Sequence, residues 1–106
     1  MQSAQERIRI ERAVKSQAPL ILNFIRQLAE YEKLLDEVQA DEARIEATLF
    51  GDKPAAEVVI AYLGEEPAGF ALFFSTYSTF LGRPGIYLED LFVQPKFRGE
   101  GVGKAL

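Results

Sequence analysis

The feature that most constrains the fold is an apolar segment, residues 86–93, with two adjacent acidic residues near its centre. Because side chains alternate along a strand and both faces here are apolar, the segment predicts a central strand covered on both sides. One predicted face carries Ile86, Leu88 and Phe92, and the other carries Tyr87, Leu91 and Val93. Glu89 and Asp90 fall on opposite faces, where a buried carboxylate is costly unless it is paired or has a function.

A glycine-rich sequence after this strand predicts a loop that binds an anion. Pro95 ends the strand, since proline cannot donate a ladder hydrogen bond. The spacing Arg-x-x-Gly-x-Gly then follows, formed by Arg98, Gly99, Glu100, Gly101, Val102 and Gly103. Glycines let backbone N–H groups turn toward a bulky anion, and a helix beginning near Gly101 would add its positive dipole end. Such a terminus binds phosphate, and Arg98 and Lys104 would add positive charge.

Two other phosphate-binding motifs fit this loop less well. A Walker loop ending at Gly103 and Lys104 needs glycine at position 98 and serine or threonine at position 105. The sequence has Arg98 and Ala105 there. A dinucleotide fingerprint needs another glycine three residues after Gly103, where Leu106 stands. Taken alone, the loop is also compatible with a flexible turn that binds nothing.

The strand and its glycine loop resemble the acetyl-CoA-binding segment of the GNAT N-acetyltransferases. Residues 28–32, 69–74 and 87–93 are similar to the spermidine/spermine (diamine) acetyltransferase branch of that superfamily. The resemblance covers nearly the whole chain from Ile8 onward. It implies an α+β fold, the N-terminal half of the GNAT fold, with the order β-α-α-β-β-β-α and a mostly antiparallel sheet.

The pattern of apolar residues along the chain predicts the same order of elements. The predicted strands span residues 7–12, 57–63, 68–77 and 86–93. The predicted helices span residues 15–35, residues 41–50 with Asp41 as the cap, and a segment beginning near Gly101. Connecting segments are predicted at residues 64–67 and 78–85, and a loose start at residues 1–6.

Composition narrows the chemistry that the chain can perform. A length of 106 residues fits a single domain, residues 1–106. The absence of cysteine and histidine removes thiolate nucleophiles, the usual general base and the commonest metal ligands, so no metal is expected. A net charge of −4 argues against nucleic-acid binding and suits a cationic small substrate. No apolar run is long enough to span a membrane, and residues 1–6 are polar, so we expect a cytoplasmic protein without a membrane partner.

The resemblance implies an amine site around the acidic pair. Transfer of acetyl to an amine requires that the amine first lose a proton, and Glu89 is the candidate catalytic base, directly or through a water. Burial on a central strand would make it a stronger base. Pairing of Glu89 with a neighbouring arginine or lysine is the alternative. The implied substrate-binding residues are Tyr31, Glu32, Glu89 and Asp90.

The resemblance also implies the cofactor-binding residues. Backbone N–H groups of Leu91, Phe92 and Val93, freed by a local bulge, would bond the acetyl carbonyl and the pantetheine arm of acetyl-CoA. The side chains of these three residues are expected in the core. The pyrophosphate would lie against Arg98, Gly99, Glu100, Gly101, Val102, Gly103 and Lys104.

An acidic surface is predicted on the first helix, the following loop and the second helix. It carries Glu30, Glu32, Asp36, Glu37, Asp41, Glu42 and Glu46. Such a surface would attract a polyamine or a lysine-like side chain. A solvated helix face without a ligand is the alternative.

We therefore expect an acetyl-CoA-dependent N-acetyltransferase that acts on a primary amine of a polyamine or another small cationic amine, as a homodimer. The alternatives are a non-catalytic acyl-CoA-binding or regulatory module and an inactive dimerising fragment. Because the family continues with further strands and a tyrosine general acid, we expect this chain to be C-terminally incomplete. On its own it is expected to self-associate and to transfer little or no acetyl.

Overall fold

The computed structural model describes residues 7–106. These residues form a four-stranded antiparallel sheet with helices on both faces. The strands, neighbours in this order, are β1 (Ile8–Arg12), β2 (Glu57–Leu63), β3 (Glu66–Ser78) and β4 (Arg83–Val93). The helices are α1 (Ala18–Tyr31), α2 (Glu42–Leu49) and α3 (Val102–Ala105). This order and the antiparallel pairing confirm the predicted fold. The loose start predicted for residues 1–6 lies outside the described residues.

Helix α1 is shorter than predicted because 3₁₀ turns replace the first and last parts of the predicted helix. Lys15–Gln17 form one turn of 3₁₀-helix, and α1 then begins with Pro19 in its first turn, where a missing N–H is harmless. After Tyr31, Lys33 adopts a left-handed conformation with φ of 61°, which ends the helix. A second 3₁₀ turn, Leu35–Glu37, leads away from it.

Helix α2 begins and ends as the sequence predicts. The Asp41 side chain accepts a hydrogen bond of 2.7 Å from the backbone N–H of Arg44, which satisfies one of the free donors at the helix start. The helix ends at Leu49 and Phe50 caps it. Ile45 is its buried residue and packs into the core against α1 and the sheet.

The hairpin formed by β3 and β4 is longer than predicted. Residues 78–85 were expected to form a loop, but β4 begins at Arg83 and pairs back as far as Ser78. Pro84 lies within the strand, opposite Tyr77. Proline is tolerated there because β4 is the outer strand of the described sheet, where one edge donates no ladder bonds.

The prediction that β4 is a central strand covered on both faces is wrong for the described residues. Its only described neighbour is β3, and its side chains are largely exposed, including Ile86 at 75% and Leu88 at 51%. Phe92 is the residue of β4 that is buried, because α1 lies over it. An apolar strand pattern indicates which residues favour burial, but the neighbouring elements decide whether it occurs.

A β-bulge at Glu89 resets the alternation of side chains along β4. Asp90 pairs with Leu72 and Leu88 pairs with Phe73, so Glu89 has no partner on β3. The predicted faces are therefore wrong beyond this point. One face carries Ile86, Leu88, Leu91 and Val93, and the face toward α1 carries Tyr87, Asp90 and Phe92.

Three phenylalanines form the centre of the main core, between α1 and the sheet. The ring of Phe24 stacks on Phe70 with centroids 5.5 Å apart and tilts against Phe92 at 6.2 Å. At Gly69, a Cβ atom would overlap the carbonyl oxygen of Phe92, so glycine is needed where β3 and β4 approach each other. On the opposite face of the sheet, Val102 of α3 is buried in a smaller cluster with Ala61 and Ala68.

Replacement of the central ring tests this packing. Phe70→Ala should lower the free energy of unfolding by about 3–5 kcal/mol, because it removes a fully buried ring and leaves a cavity. Phe80→Ala removes an equally large but fully exposed ring and should change stability by no more than about 0.5 kcal/mol. Urea unfolding of both variants measures the difference, and equal losses would contradict this account of the core.

Candidate active site

An acidic cavity of about 210 Å³ lies between the end of α1, the turn after it and β4. Its apolar wall is formed by Ile25, Leu28, Ala29, Leu34 and Val38. Its polar wall is formed by the carboxyl-bearing residues Glu32, Glu37 and Asp90. The structure thus brings together Glu32 and Asp90, two of the residues predicted to bind the substrate. Glu37 was predicted only as part of the acidic surface, since nothing in the sequence shows that the 3₁₀ turn directs it into this cavity.

Asp90 is the carboxyl group most affected by its surroundings. It is half-buried, and this burial raises its pKa above the ordinary value, with further contributions from the negative charges of Glu89 and Glu32. In the described part of the chain the ion pairs lie elsewhere, joining Arg9 to Glu11, Arg12 to Glu57 and Lys96 to Glu66. The cavity therefore concentrates negative charge that no described lysine or arginine neutralises by an ion pair.

Glu89 differs from its neighbour because the bulge separates their positions. Its side chain is exposed, so the expected burial of this residue on a covered strand is wrong. The alternative, pairing with an arginine or lysine, is not found among residues 7–106 either. Glu89 is an exposed carboxylate at the strand irregularity, next to the acidic cavity.

A second cavity, of about 470 Å³, connects the acidic region with the end of β4. It is lined by Leu28, Tyr31, Glu32, Leu91, Phe92, Val93 and Arg98, and it shares Leu28 and Glu32 with the acidic cavity. The predicted amine-site residues and the predicted acetyl-site residues therefore meet. Of the three side chains expected in the core, only Phe92 is buried, while Val93 is half-buried and Leu91 is exposed.

The glycine loop forms a third cavity, of about 280 Å³, beneath the start of α3. Gly99 and Gly101 have φ angles of 85° and 88°, a left-handed conformation that other residues rarely adopt. Helix α3 begins at Val102, directly after Gly101, as predicted. The lining residues are Val93, Phe97, Arg98, Gly99, Gly101, Val102, Gly103 and Lys104, so Glu100 is the predicted loop residue that does not line it.

The start of this loop is held by contacts with the first residues of β3. The side-chain amide of Gln94 donates a hydrogen bond of 2.7 Å to the carbonyl of Pro67, and its backbone N–H donates one of 2.8 Å to Ala68. Lys96 forms an ion pair of 3.0 Å with Glu66. The sequence marked Gln94 and Pro95 only as a strand end, because these partners are more than twenty residues away.

Arg98 lies between the second and third cavities and lines both. Its Nε donates a hydrogen bond of 3.0 Å to the carbonyl of Val93. Its guanidinium carbon is 4.8 Å from the centroid of the Tyr31 ring and 5.7 Å from that of Phe92. Tyr31 is the last residue of α1 and is 68% exposed. Arg98 thus supplies the positive charge predicted at the loop, but its side chain is directed toward Tyr31 at the end of α1.

Within residues 7–106 there is no cluster of three or more acidic side chains placed to hold a metal ion. No helix in this part of the chain has the length and apolar character needed to cross a membrane.

The acetyltransferase (GNAT) family model matches residues 22–106, and the chain belongs to this family. Acetyltransferases of this family use acetyl-CoA as co-substrate. The described fold, with its acidic cavity and its glycine loop at the end of β4, agrees with this assignment.

Curated relatives place the chain within the family. It is 37% identical over 107 residues to thialysine N-epsilon-acetyltransferase of Bos taurus, covering 93% of this chain and 62% of the relative. It is 30% identical over 109 residues to spermidine/spermine N(1)-acetyltransferase-like protein 1 of Homo sapiens, covering 96% of this chain and 16% of the relative. The predicted resemblance to the diamine acetyltransferase branch is confirmed. The chain spans 54% to 62% of the length of its thialysine acetyltransferase relatives.

Solved structures share the fold. An aminoglycoside acetyltransferase from an uncultured soil metagenomic sample, in complex with sisomicin, superposes with a TM-score of 0.79 at 20% identity. That match covers 98% of this chain and 67% of the other. A ribosomal-protein-alanine N-acetyltransferase from Brucella melitensis biovar Abortus 2308 superposes with a TM-score of 0.74 at 21% identity, covering 93% and 65%.

The raised pKa of Asp90 predicts how stability responds to pH. The folded state holds this proton more tightly than the unfolded chain, so Asp90 favours folding below its ordinary pKa of 3.8. That contribution is lost as the pH rises through the higher pKa that Asp90 has in the folded state. Asp90→Asn has no titrating group, so its stability relative to wild type should improve between pH 3 and pH 7.

Urea unfolding at several pH values checks this dependence. Asp52→Asn removes the same charge at an exposed position away from the cavity and serves as the matched control. A relative stability of Asp90→Asn that stays constant with pH, or that falls as the pH rises, would contradict the electrostatic description of the cavity.

Proposed function

We propose that the protein is an acetyl-CoA-dependent N-acetyltransferase that transfers acetyl to a primary amine of a polyamine or another small cationic amine. The observation that carries this proposal is the meeting of the two cavities at Leu28 and Glu32. One cavity offers carboxyl groups for a cation, and the other leads past the end of β4 to Arg98 and the glycine loop. An amine and an acetyl donor could therefore approach each other at Leu91.

The acidic cavity supports recognition of a cationic amine. Burial and two neighbouring carboxylates disfavour the charged form of Asp90, and an ammonium group in the cavity would reverse this effect by supplying the missing positive charge. We propose that Glu32 and Asp90 bind the substrate cation, that Glu37 extends the acidic wall, and that Tyr31 lies at the entrance. Three relatives are named for thialysine, spermidine/spermine and L-ornithine. These names support the proposal that the substrate is a small cationic amine.

The glycine loop and the end of β4 support the binding of acetyl-CoA. Gly99 and Gly101 place no Cβ atoms in the loop cavity, which leaves backbone N–H groups accessible to a pyrophosphate. Along an outer strand, alternate N–H groups point away from the neighbouring strand. We propose that such groups of Leu91, Phe92 and Val93 bind the acetyl carbonyl and the pantetheine arm. The proposed pyrophosphate-binding residues remain Arg98, Gly99, Glu100, Gly101, Val102, Gly103 and Lys104.

Acetyl-CoA supplies a thioester carbonyl that an uncharged amine can attack. We propose that Glu89 removes the proton from the ammonium group, directly or through a water that its exposed position allows. The amine nitrogen then forms a bond to the carbonyl carbon, the carbon–sulfur bond breaks to release the thiolate, and the thiolate takes up the proton that the nitrogen loses as it becomes an amide. N–H groups near Leu91 stabilise the negative charge that develops on the carbonyl oxygen. Glu32 and Asp90 hold the rest of the substrate in place.

We also propose that residues 1–106 form one domain of a cytoplasmic homodimer. The tip of the β3–β4 hairpin exposes Phe80 completely and Leu81 and Ile86 by 65% and 75%, an apolar surface that suits a second copy of the chain. The absence of cysteine agrees with a reducing compartment. Light scattering measures the mass in solution, and the mass of a single chain would oppose the dimer.

The cofactor assignment is tested at Gly101. Gly101→Asp introduces a side chain at a left-handed position and a negative charge where the pyrophosphate is proposed to lie. Acetyl-CoA affinity measured by calorimetry should fall at least about 10-fold. Two like charges about 4 Å apart near a protein surface repel by about 4 kcal/mol, and a loss of about 1.4 kcal/mol already lowers affinity tenfold. Gly82→Asp makes the same change at a left-handed position in the turn between β3 and β4, away from the loop, and should leave affinity unaltered. Unchanged affinity in Gly101→Asp would refute the assignment.

The base assignment is tested at Glu89. Glu89→Gln keeps the shape and removes the titrating group, so the rate of acetyl transfer at neutral pH should fall about 10²-fold. The loss should shrink at high pH, where amines deprotonate without help. Glu11→Gln, at an exposed position on β1 at the other edge of the sheet, removes the same group outside the proposed site and serves as the comparison. A wild-type pH–rate profile in Glu89→Gln would assign the role elsewhere, and acetyl-CoA binding without turnover in the wild type would favour a non-catalytic module.

A further inference from the structure

Arg98 links two parts of the site that are separate in the sequence. It is the first residue of the glycine loop, yet its guanidinium group lies over the ring of Tyr31, 4.8 Å from the centroid. The hydrogen bond from Nε to the carbonyl of Val93 holds it in this orientation. The side chain is exposed and lines both the loop cavity and the cavity that contains Tyr31 and Glu32. It can therefore move between them without disturbing the core.

The position of Arg98 opposes the entry of a cationic amine. An aromatic face attracts a cation through its quadrupole, and Arg98 already occupies one face of Tyr31. Its positive charge also repels a second cation at the entrance to the cavity that Glu32 lines. An ammonium group that approaches Tyr31 must displace the guanidinium group or accept this repulsion.

An anion in the glycine loop would change this balance. A guanidinium group forms paired, charge-assisted hydrogen bonds with phosphate oxygens, and these are stronger than its contact with an exposed ring. Because Arg98 belongs to the loop, a pyrophosphate held there would attract its side chain away from Tyr31 and neutralise its charge. The ring face and the electrostatic attraction of Glu32 and Asp90 would then be available to the amine.

We propose that Arg98 is a positioning residue that couples the two halves of the site, so that an anion in the glycine loop strengthens the binding of a cation beside Tyr31. This inference rests on the proposed function and adds to it a mechanism by which one substrate promotes the binding of the other. Coupling between binding sites is reciprocal, so the amine strengthens binding of the anion by the same factor.

Calorimetric titration of the whole protein tests the coupling, with spermidine as the amine and CoA as an unreactive occupant of the loop. In the wild type, saturating CoA should tighten spermidine binding about 5-fold, at the lower end of the range for coupled sites because the contact is exposed. In Arg98→Met, spermidine should bind more tightly than to wild type in the absence of CoA, and CoA should have little further effect. Each variant is saturated with CoA according to its own measured affinity.

Further variants of Tyr31 and Arg98 distinguish a loss of coupling from a general loss of structure. Tyr31→Phe keeps the aromatic face and should retain the coupling, whereas Tyr31→Leu should reduce it. Arg98→Lys keeps the charge but loses the planar group, and should give an intermediate value. Arg9→Met is the matched control, because Arg9 lies 4.6 Å from the ring of Tyr62 in a similar contact outside the site. It should leave the coupling at the wild-type value.

The outcomes distinguish this inference from the function on which it rests. If the wild type binds CoA and spermidine but the two ligands do not affect each other, the coupling is refuted and the proposed function stands. Wild-type coupling in Arg98→Met would likewise refute the role of Arg98. If the wild type binds neither ligand, the proposed function fails and the coupling fails with it.

Discussion

The contact among Phe24, Phe70 and Phe92 fixes the parts of the molecule on which the site depends. Phe24 belongs to α1, Phe70 to β3 and Phe92 to the end of β4, and all three rings are buried. Stacking and burial of large rings are among the strongest local contributions to stability. The contact between Phe24 and Phe92 therefore fixes the position of α1 relative to the end of β4. The two cavities that meet at Glu32 are the spaces left beside this contact.

The bulge in β4 gives two adjacent carboxylates different surroundings. Asp90 shares a face with Phe92 and lines the acidic cavity, while Glu89 has no partner on β3 and remains in solvent. If the same residues paired without a bulge, Glu89 would lie opposite Phe73, and Leu88 rather than Tyr87 would lie opposite Phe74. A single irregularity in one strand thus places one acidic residue in a cavity while its neighbour stays accessible to water.

The sequence predicts the features of this fold that depend on local chemistry. The cap at Asp41, the position of Pro19 in the first turn of α1 and the left-handed glycines before α3 follow from the conformations that these residues prefer. The exposure of β4 could not be predicted, because it depends on which elements lie beside the strand. The faces of β4 were predicted incorrectly because alternation assumes that no residue is inserted. The contact between Arg98 and Tyr31 joins residues 67 positions apart, and no local pattern records it.

The attachment of Gln94 to the start of β3 has a consequence for how such a site can vary. The loop that follows Gln94 is held by Pro67 and Ala68 of the neighbouring strand, and the ion pair of Lys96 with Glu66 reinforces this attachment. These three residues of β3 line none of the three cavities, so substitutions there leave the cavity linings intact. They would nevertheless alter the rigidity of the glycine loop. The start of β3 is therefore a place where evolution can adjust the mobility of the loop without changing the residues that line its cavity.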